Sequence, residues 1–369
     1  MRFATLRDAG VSVLDCEHKT PSPQSSGNPY IAIPDIHDGY VDTKTARKIT
    51  SEDYAEWTRR TKPVKGDVVV TRRARVGDTG RIPSSDCAIG QNLVILRSSG
   101  VECRQDYLYW STRSPKWSSE VDRYLNVGAV FSSLNVSDIG SIEIPLPPLP
   151  EQRAIAEVLG ALDDKIAANR KLVTTSLNLA EAVHDLALSD EQRPLGDFME
   201  FAYGKSLPAT RRIPGEVPVV GSGGVTGSHD EALVNRPGIV VGRKGSMGTV
   251  RWMDGPFFPI DTTFYVTNRT EIPDQFWYFS LKQARFEGLN SDSAVPGLNR
   301  EAALDQMTRV PSEDGIKRFE DVALPLFELA RINRRESQTL AQLRDTLLPA
   351  LMDGTIRVKD AQNLTEEAV

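Results

Sequence analysis

Pro145-Leu146-Pro147-Pro148-Leu149-Pro150-Glu151-Gln152-Arg153 opens the stretch that decides the fold, and it runs on without interruption to Leu188. Each proline fixes its own φ and pushes the residue before it out of the α region, so the lead-in is extended and stiff. A helix then starts at Pro150 or Glu151. Along it Ile155, Leu159, Leu162, Ile166, Asn169, Val173, Ser176, Ala180, Val183 and Ala187 recur in alternating steps of four and three, the seam of a coiled coil. Such a helix is a rod of about 57 Å at its standard rise. A rod of that length is no core element of a small domain, and its expected role is to separate things.

Working outward, the chain repeats itself. Residues 66–77 read GDVVVTRRARVG and residues 237–248 read PGIVVGRKGSMG, an offset of 171 that aligns Arg72-Arg73 with Arg243-Lys244 and Gly77 with Gly248. The aromatic segments Asp106–Ser111 and Asp274–Phe279 correspond and are predicted to pack as helices. Leu125-Asn126 and Leu134-Asn135 match Leu289-Asn290 and Leu298-Asn299 at an offset of 164, which carries Leu162 onto Leu326 and Asn169 onto Asn333. Four blocks in the same order indicate one domain-plus-helix unit, duplicated and diverged. The second helix covers about Glu313 to Leu348, with Phe319, Ala323, Leu326, Ala330, Asn333, Ser337, Leu340 and Leu347 in the same stepping. Pro325 predicts a kink or a late start there.

The fold class expected is α+β: two mixed α/β domains separated by two long antiparallel coiled-coil helices, in a pseudo-two-fold internal repeat. The boundaries are 1–149, the helix 150–188, a second domain 189–312, the helix 313–352, and a loose tail 353–369. Strands are predicted at Pro29–Pro34, Val68–Val70, Val217–Val220 and Ile239–Val241. If the helices pack antiparallel, Asn169 and Asn333 approach each other and select register. Asp163, Asp164, Lys165, Arg170 and Lys171 read as the exposed faces, available to partners.

The 369 residues have room for two or three domains. No apolar run is long enough to span a membrane, and no signal peptide opens the chain, so a cytoplasmic protein without membrane contact is expected. Cys16, Cys87 and Cys103 show no paired spacing and are expected as buried or half-buried free thiols. The four histidines, His18, His37, His184 and His229, have no metal-ligand spacing, so no metal is expected. Asn28-Pro29-Tyr30 lacks the second proline of an amino-methyltransferase motif, and Gly242–Gly248 does not have P-loop order. The catalytic inventory is empty.

The formal charge is −6, yet basic residues cluster locally. Residues 59–81 carry eight basic side chains against two acids, and residues 205–251 carry seven against three. Arginine can bracket guanine bidentately, while lysine and backbone N–H groups hold phosphates. Recurrence at equivalent places in both repeats points to nucleic acid.

Leu149–Arg153 with the following Ile155–Leu159, Leu162-Asp163 and Lys165-Ile166 resembles the central conserved helix of type I restriction–modification specificity subunits. Gly221–Val225, Gly242–Gly248 and Asp261–Tyr265 resemble one class of their target recognition domains, and Leu343–Pro349 with Leu351–Gly354 is similar to the distal helix end. The first recognition domain matches more loosely, through Ile31–Asp35, Asp38-Gly39 and Gly66-Asp67. The resemblance implies a non-catalytic DNA-recognition subunit, each domain reading one half of a bipartite asymmetric site in double-stranded DNA. It further implies two N6-adenine methyltransferase subunits, which bind S-adenosylmethionine and flip the target base, and two restriction/translocase subunits. This chain itself would hold no cofactor. A rod of about 57 Å spans more than one turn of B-DNA, roughly 34 Å, and would act as a ruler between half-sites. The expected DNA contacts are Arg72, Arg73 and Arg75 in the first domain and Lys205, Arg211, Gly223, Arg243, Lys244 and Ser246 in the second. The alternatives are a structural or adaptor protein with two binding domains on a coiled-coil spacer, and a stand-alone enzyme, which the empty catalytic inventory disfavours.

Overall fold

A proline in the first helical turn forfeits no internal hydrogen bond, and the helix that Pro150 opens runs from Leu149 to Ala187 in the computed structural model. The structure describes residues 2–127, 132–286, 289 and 297–368. Gln152 shows why the lead-in holds its shape. Its buried side chain accepts from Arg104 N at 2.8 Å and donates to the carbonyls of Glu102 and Pro147, each at 2.8 Å. The helix start is thereby tied both to its own proline run and to the domain before it.

The chain divides into two compact units, Met1–Ala167 with Ser337–Val369, and Ala168–Glu336. Each long helix therefore contributes one part to each unit. The second helix, Glu313–Asp353, runs through Pro325 without the late start expected there. Of the seam of the first helix every residue is buried except Val173, which is half-buried. Inside the first unit Ile155, Leu159, Leu162 and Ile166 share one core with Leu340, Leu347 and Leu351. Inside the second, Ala180, Val183 and Ala187 share a core with Phe319 and Ala323. Within this unit Asn169 meets Glu336 while His184 packs on Phe319, so the two segments run antiparallel. Gly315 permits the close approach at the far end, since a Cβ there would lie 2.3 Å from the Ala187 carbonyl oxygen.

The first unit's main sheet has the order Val11–Asp15, Leu93–Ser98, Val68–Thr71, Thr79–Arg81, Gly39–Val41, Ile36–His37. The second has Met199–Tyr203, Thr263–Asn268, Gly238–Gly242, Val250–Met253, which is the same order over its four strands. A three-stranded sheet accompanies each: Asn28–Ile31 lies antiparallel to Arg47–Ile49 and parallel to Ala88–Ile89, as Val217–Gly221 lies antiparallel to Gly224–His229 and parallel to Phe258–Pro259. The unbroken run Val68–Val70 is explained by burial on both faces, with Val68 and Val70 in one core and Val69 in another. The aromatic segments form the helices Gln105–Ser111 and Asp274–Gln283, as expected. All three cysteines are free and buried. No helix among the described residues is long and apolar enough to cross a membrane.

Several expectations need correction. The tail is not loose: Val358–Ala368 is helical, with Ala361 and Thr365 buried. Asp163 is not on an exposed face but is 2% exposed, bound by Arg344. Both asparagines are buried, but Asn169 Nδ2 donates to Glu336 Oε2 at 2.7 Å and Asn333 Nδ2 to the Leu329 carbonyl at 2.8 Å. The acid one turn beyond Asn333 takes the Asn169 amide.

His184, on the first long helix, is buried. Its Nε2 pairs with Ser280 Oγ at 2.9 Å, and its ring lies 4.5 Å from that of Phe276. Burial holds its pKa below the usual histidine value, against the pull of neighbouring Asp185. The unfolded chain therefore takes up this proton first, so the stability is full above about pH 6.5 and declines as pH falls below it. Unfolding midpoints measured downward through that range are expected to drop in the wild type and to drop less steeply in His184→Gln. Parallel profiles would remove His184 as the cause.

Candidate nucleic-acid interface

Glycine at Gly77 and Gly248, with φ of +85° and +72°, lets the chain turn back after the basic pair in each unit, a backbone shape closed to most residues. The two resulting loops are hydrogen-bonded alike. Thr71 N donates to Asp78 O and Gly77 N to Thr71 O, as Gly242 N donates to Thr249 O and Gly248 N to Gly242 O. Arg72 N donates to Asn92 O, as Arg243 N donates to Thr262 O. Leu134 N and Leu298 N donate to the carbonyls of Arg72 and Arg243, and Arg73 and Lys244 bridge Ser133 and Gly297. The repeat therefore holds to the level of single hydrogen bonds. Ala74, at φ +59°, stands where the second unit has Gly245, so the first loop carries the left-handed strain that a Cβ imposes.

In the second unit the hairpin Gly221–Gly224 is brought against this loop. Thr249 Oγ1 donates to Ser222 O at 3.0 Å, and Arg251 Nη2 donates to Gly223 O at 3.0 Å. Arg243 lies 4.9 Å over the Tyr203 ring and donates to Asp261 O at 3.2 Å, while Arg300 lies 5.5 Å from the same ring. Lys205, two residues past Tyr203, is exposed, and Ser246 is exposed on the loop. Lys205, Lys244 and Arg211 have no side-chain partner among the described residues. Six of the expected contacts, Lys205, Arg211, Gly223, Arg243, Lys244 and Ser246, thus lie on four neighbouring segments of one unit. The loop, the hairpin and the strand end at Tyr203 interlock, whereas Arg211 sits on a short turn, Ala209–Arg211, beside Arg212, which donates to Thr226 O.

In the first unit the three arginines have different duties. Arg72 Nε donates to Leu134 O at 3.0 Å, and Arg75 Nη2 donates to Ile33 O at 2.6 Å and Ile36 O at 2.7 Å. Both brace the loop. Arg73 is exposed and has no side-chain partner among the described residues, which makes it the free cation of the three. The flank also differs. The strand pairings of Val11 with Ser98 and Met199 with Asn268 place Asp15 and Glu17 where the second unit has Tyr203 and Lys205. The first loop is therefore edged by acid, which suits amino groups on base edges rather than phosphates.

Asp15, Cys16 and His18 bring their ligating atoms within 4.8 Å of one another, a cluster the spacing search passed over. Burial and the Asp15 charge push the Cys16 thiol up to about 11, and His18 Nε2 is already 2.9 Å from Asp15 Oδ2. A protonated thiol is a poor ligand. Sequence reasoning also missed Tyr203 and Arg300, and counted Arg251 only as one of the basic cluster. The signal for Tyr203 was an aromatic residue beside Gly204-Lys205, since base-binding surfaces interleave rings with cations. Arg251 has a buried Nε with no acceptor among the described residues.

A family model for the type I restriction modification DNA specificity domain matches residues 18–175. The putative type I restriction enzyme MjaX specificity subunit of Methanocaldococcus jannaschii is 39% identical over 105 residues, 28% of this chain and 24% of that protein. The type I restriction enzyme MjaIX specificity subunit of the same organism is 25% identical over 364 residues, covering 85% of this chain and 83% of the relative. The crystal structure of the type-I restriction-modification system S subunit from M. genitalium matches with a TM-score of 0.61 at 19% identity, over 95% of this chain and 96% of that one, which shows a shared fold.

Proposed function

From the match to the specificity-domain model over residues 18–175 and to a curated specificity subunit over 85% of the chain, we propose that the chain is a type I restriction–modification specificity subunit whose two units are paired DNA readers, each recognising one half of a bipartite asymmetric site. The observation that carries this is the twice-built basic loop, whose hydrogen bonds recur while its side chains differ. A conserved frame with a variable surface is what two different half-sites require. Arg243 over Tyr203, with its planar fork held in place, suits a base edge; Lys205, Lys244, Arg211 and Arg73 suit phosphates. In the first unit Arg72 and Arg75 act by shaping the loop that presents Arg73.

The chemistry belongs to the partners. Two methyltransferase subunits would bring S-adenosylmethionine and methylate adenine at N6, and two restriction/translocase subunits would complete the enzyme. Ser280 Oγ lies 2.9 Å from His184 Nε2, but both side chains are buried, and the role read here for the chain is recognition and assembly. The length of the long helices would set the gap between half-sites.

Co-expression with a type I N6-adenine methyltransferase subunit from the same genome, followed by titration of duplex DNA at several salt concentrations, tests this. A stable complex is expected, with log affinity falling linearly against log salt. A chain that purifies without a methyltransferase and shows no salt-dependent DNA affinity would instead be an adaptor.

A further inference from the structure

Arg300 stands two residues past Leu298, whose N–H closes the basic loop of the second unit on the Arg243 carbonyl at 2.8 Å. Asn299 fixes the direction in which the chain then leaves. Its side-chain oxygen accepts from Glu301 N at 3.0 Å and from Ala302 N at 3.1 Å, capping the short helix Arg300–Leu304. The Arg300 guanidinium, 5.5 Å from the Tyr203 ring, has no hydrogen-bond or ion-pair partner among the described residues. Arg243 lies 4.9 Å from the same ring and gives one N–H to Asp261 O. With both guanidiniums on one ring, no more than about 10 Å separates them. Tyr203 itself is 50% exposed, so the ring that holds them lies at the surface. A guanidinium stacked on an aromatic ring keeps a planar fork of donors, and that fork matches O6 and N7 of guanine.

The first unit is built differently at the same places. There Leu134 N closes the loop on the Arg72 carbonyl, and an asparagine, Asn135, again precedes a short helix, Val136–Ile139. The residue in the place of Arg300 is therefore Val136, which packs against the core. Asp15 stands for Tyr203, and Arg72 gives its Nε–H to the Leu134 carbonyl. At these positions the first unit has neither a second arginine nor a ring to hold one.

We propose that Arg300 is a second base-reading arginine, and that Arg243 and Arg300, held on Tyr203, together select two guanines within about three base-pair steps of each other in the second unit's half-site. The spacing follows from the shared ring, because a span of about 10 Å covers about three steps of roughly 3.4 Å. The guanines can stand on either strand. A phosphate accepts any nearby cation, whereas a fork held on a ring has the fixed orientation that a base edge requires. The half-site read by the first unit carries no such requirement. The inference rests on the DNA-reading role proposed above.

Competition binding by the assembled complex tests this, on a duplex carrying its own methylated motif with each guanine replaced in turn by 7-deazaguanine. The replacement removes the N7 acceptor and leaves base pairing intact. With the wild-type chain, replacement at two guanines of one half-site is expected to lower affinity roughly fivefold or more. In R300A one of these two losses should vanish, and in R243A the other. Arg300→Lys keeps the charge but not the fork, so it should behave as R300A does while leaving the salt slope unchanged. A relaxed half-site without two guanines in that span, losses that persist in R300A, or full rescue by lysine would overturn the proposal. So would R300A weakening every sequence alike and lowering the salt slope by about one, the mark of a phosphate contact, or R300A and R243A relaxing different half-sites. Those outcomes leave the DNA-reading role standing. That role falls, and the inference with it, if the complex has neither a bipartite motif nor salt-dependent affinity for DNA.

Discussion

Asp163→Ala is expected to destabilise the chain by about 3 kcal/mol, the lower end of what removing one member of a buried ion pair costs. Arg344 Nη1 donates to Asp163 Oδ1 at 2.6 Å, with the two side chains 9% and 2% exposed. Arg113, stacked 5.3 Å over Trp110, approaches the second carboxylate oxygen at 3.6 Å. Burial opposes the Arg344 charge, but Asp163 and then Asp345 more than offset it, and the pKa of Arg344 lies above its ordinary value. Without Asp163 the guanidinium keeps only Asp345, at 2.7 Å and largely exposed, which is why the lower figure applies. The repeat supplies the control. At the equivalent positions the second unit has Phe327 and Ala180, both buried in an apolar core. The double variant D163F/R344A imports that solution and is expected to recover most of the loss, since well-packed apolar groups often match a buried pair. Denaturant midpoints decide the matter: a single variant within about 1 kcal/mol of wild type, or a double variant no better than the single, would refute this account of the helix pair.

Arg243→Ala is expected to lower the affinity of the assembled complex for its specific DNA by about 1–3 kcal/mol and to relax one base position in one half-site. The reason is geometric. The Tyr203 ring and the Asp261 carbonyl hold the guanidinium, so an arginine that would otherwise sample many rotamers presents its fork in one orientation. Tyr203→Ala should reproduce part of the loss by freeing Arg243. Lys244→Ala should behave differently, weakening all sequences alike and reducing the salt slope by about one, because a lysine with no fixed partner acts as a point charge. Competition binding against a panel of single-base variants, at two salt concentrations, separates these outcomes. If Arg243→Ala and Lys244→Ala both leave specific binding unchanged, the loop is not a DNA contact.

The parts of this structure legible in the sequence are those with a short-range code. Heptad stepping gave both long helices, although it stopped the second at about Leu348 where the helix runs on to Asp353. The Val-rich strands and the glycines at 77 and 248 revealed the repeated loop, because only certain residues fit a doubly buried strand or a left-handed turn. What stayed hidden depends on distant partners. Arg72 and Arg75 read as free cations because their acceptors, the carbonyls of Leu134, Ile33 and Ile36, lie far away in sequence. Asp163 read as solvated because it is a polar residue beside a seam, and only the domain packed over it shows it to be buried. Among its described side chains the C-terminal helix buries Ala361 and Thr365, too little apolar surface to announce itself. Tyr203 was one aromatic among many until Arg243 and Arg300 appeared on it.

The most direct test of the central claim, that this chain supplies the sequence specificity of a DNA-modifying complex, is single-molecule methylome sequencing of cells with and without it. A bipartite N6-methyladenine motif, two specific halves around a gap of constant length, is expected to disappear when the chain is deleted and to return with its gene. A methylome unchanged by the deletion, with the methyltransferase present, would contradict it.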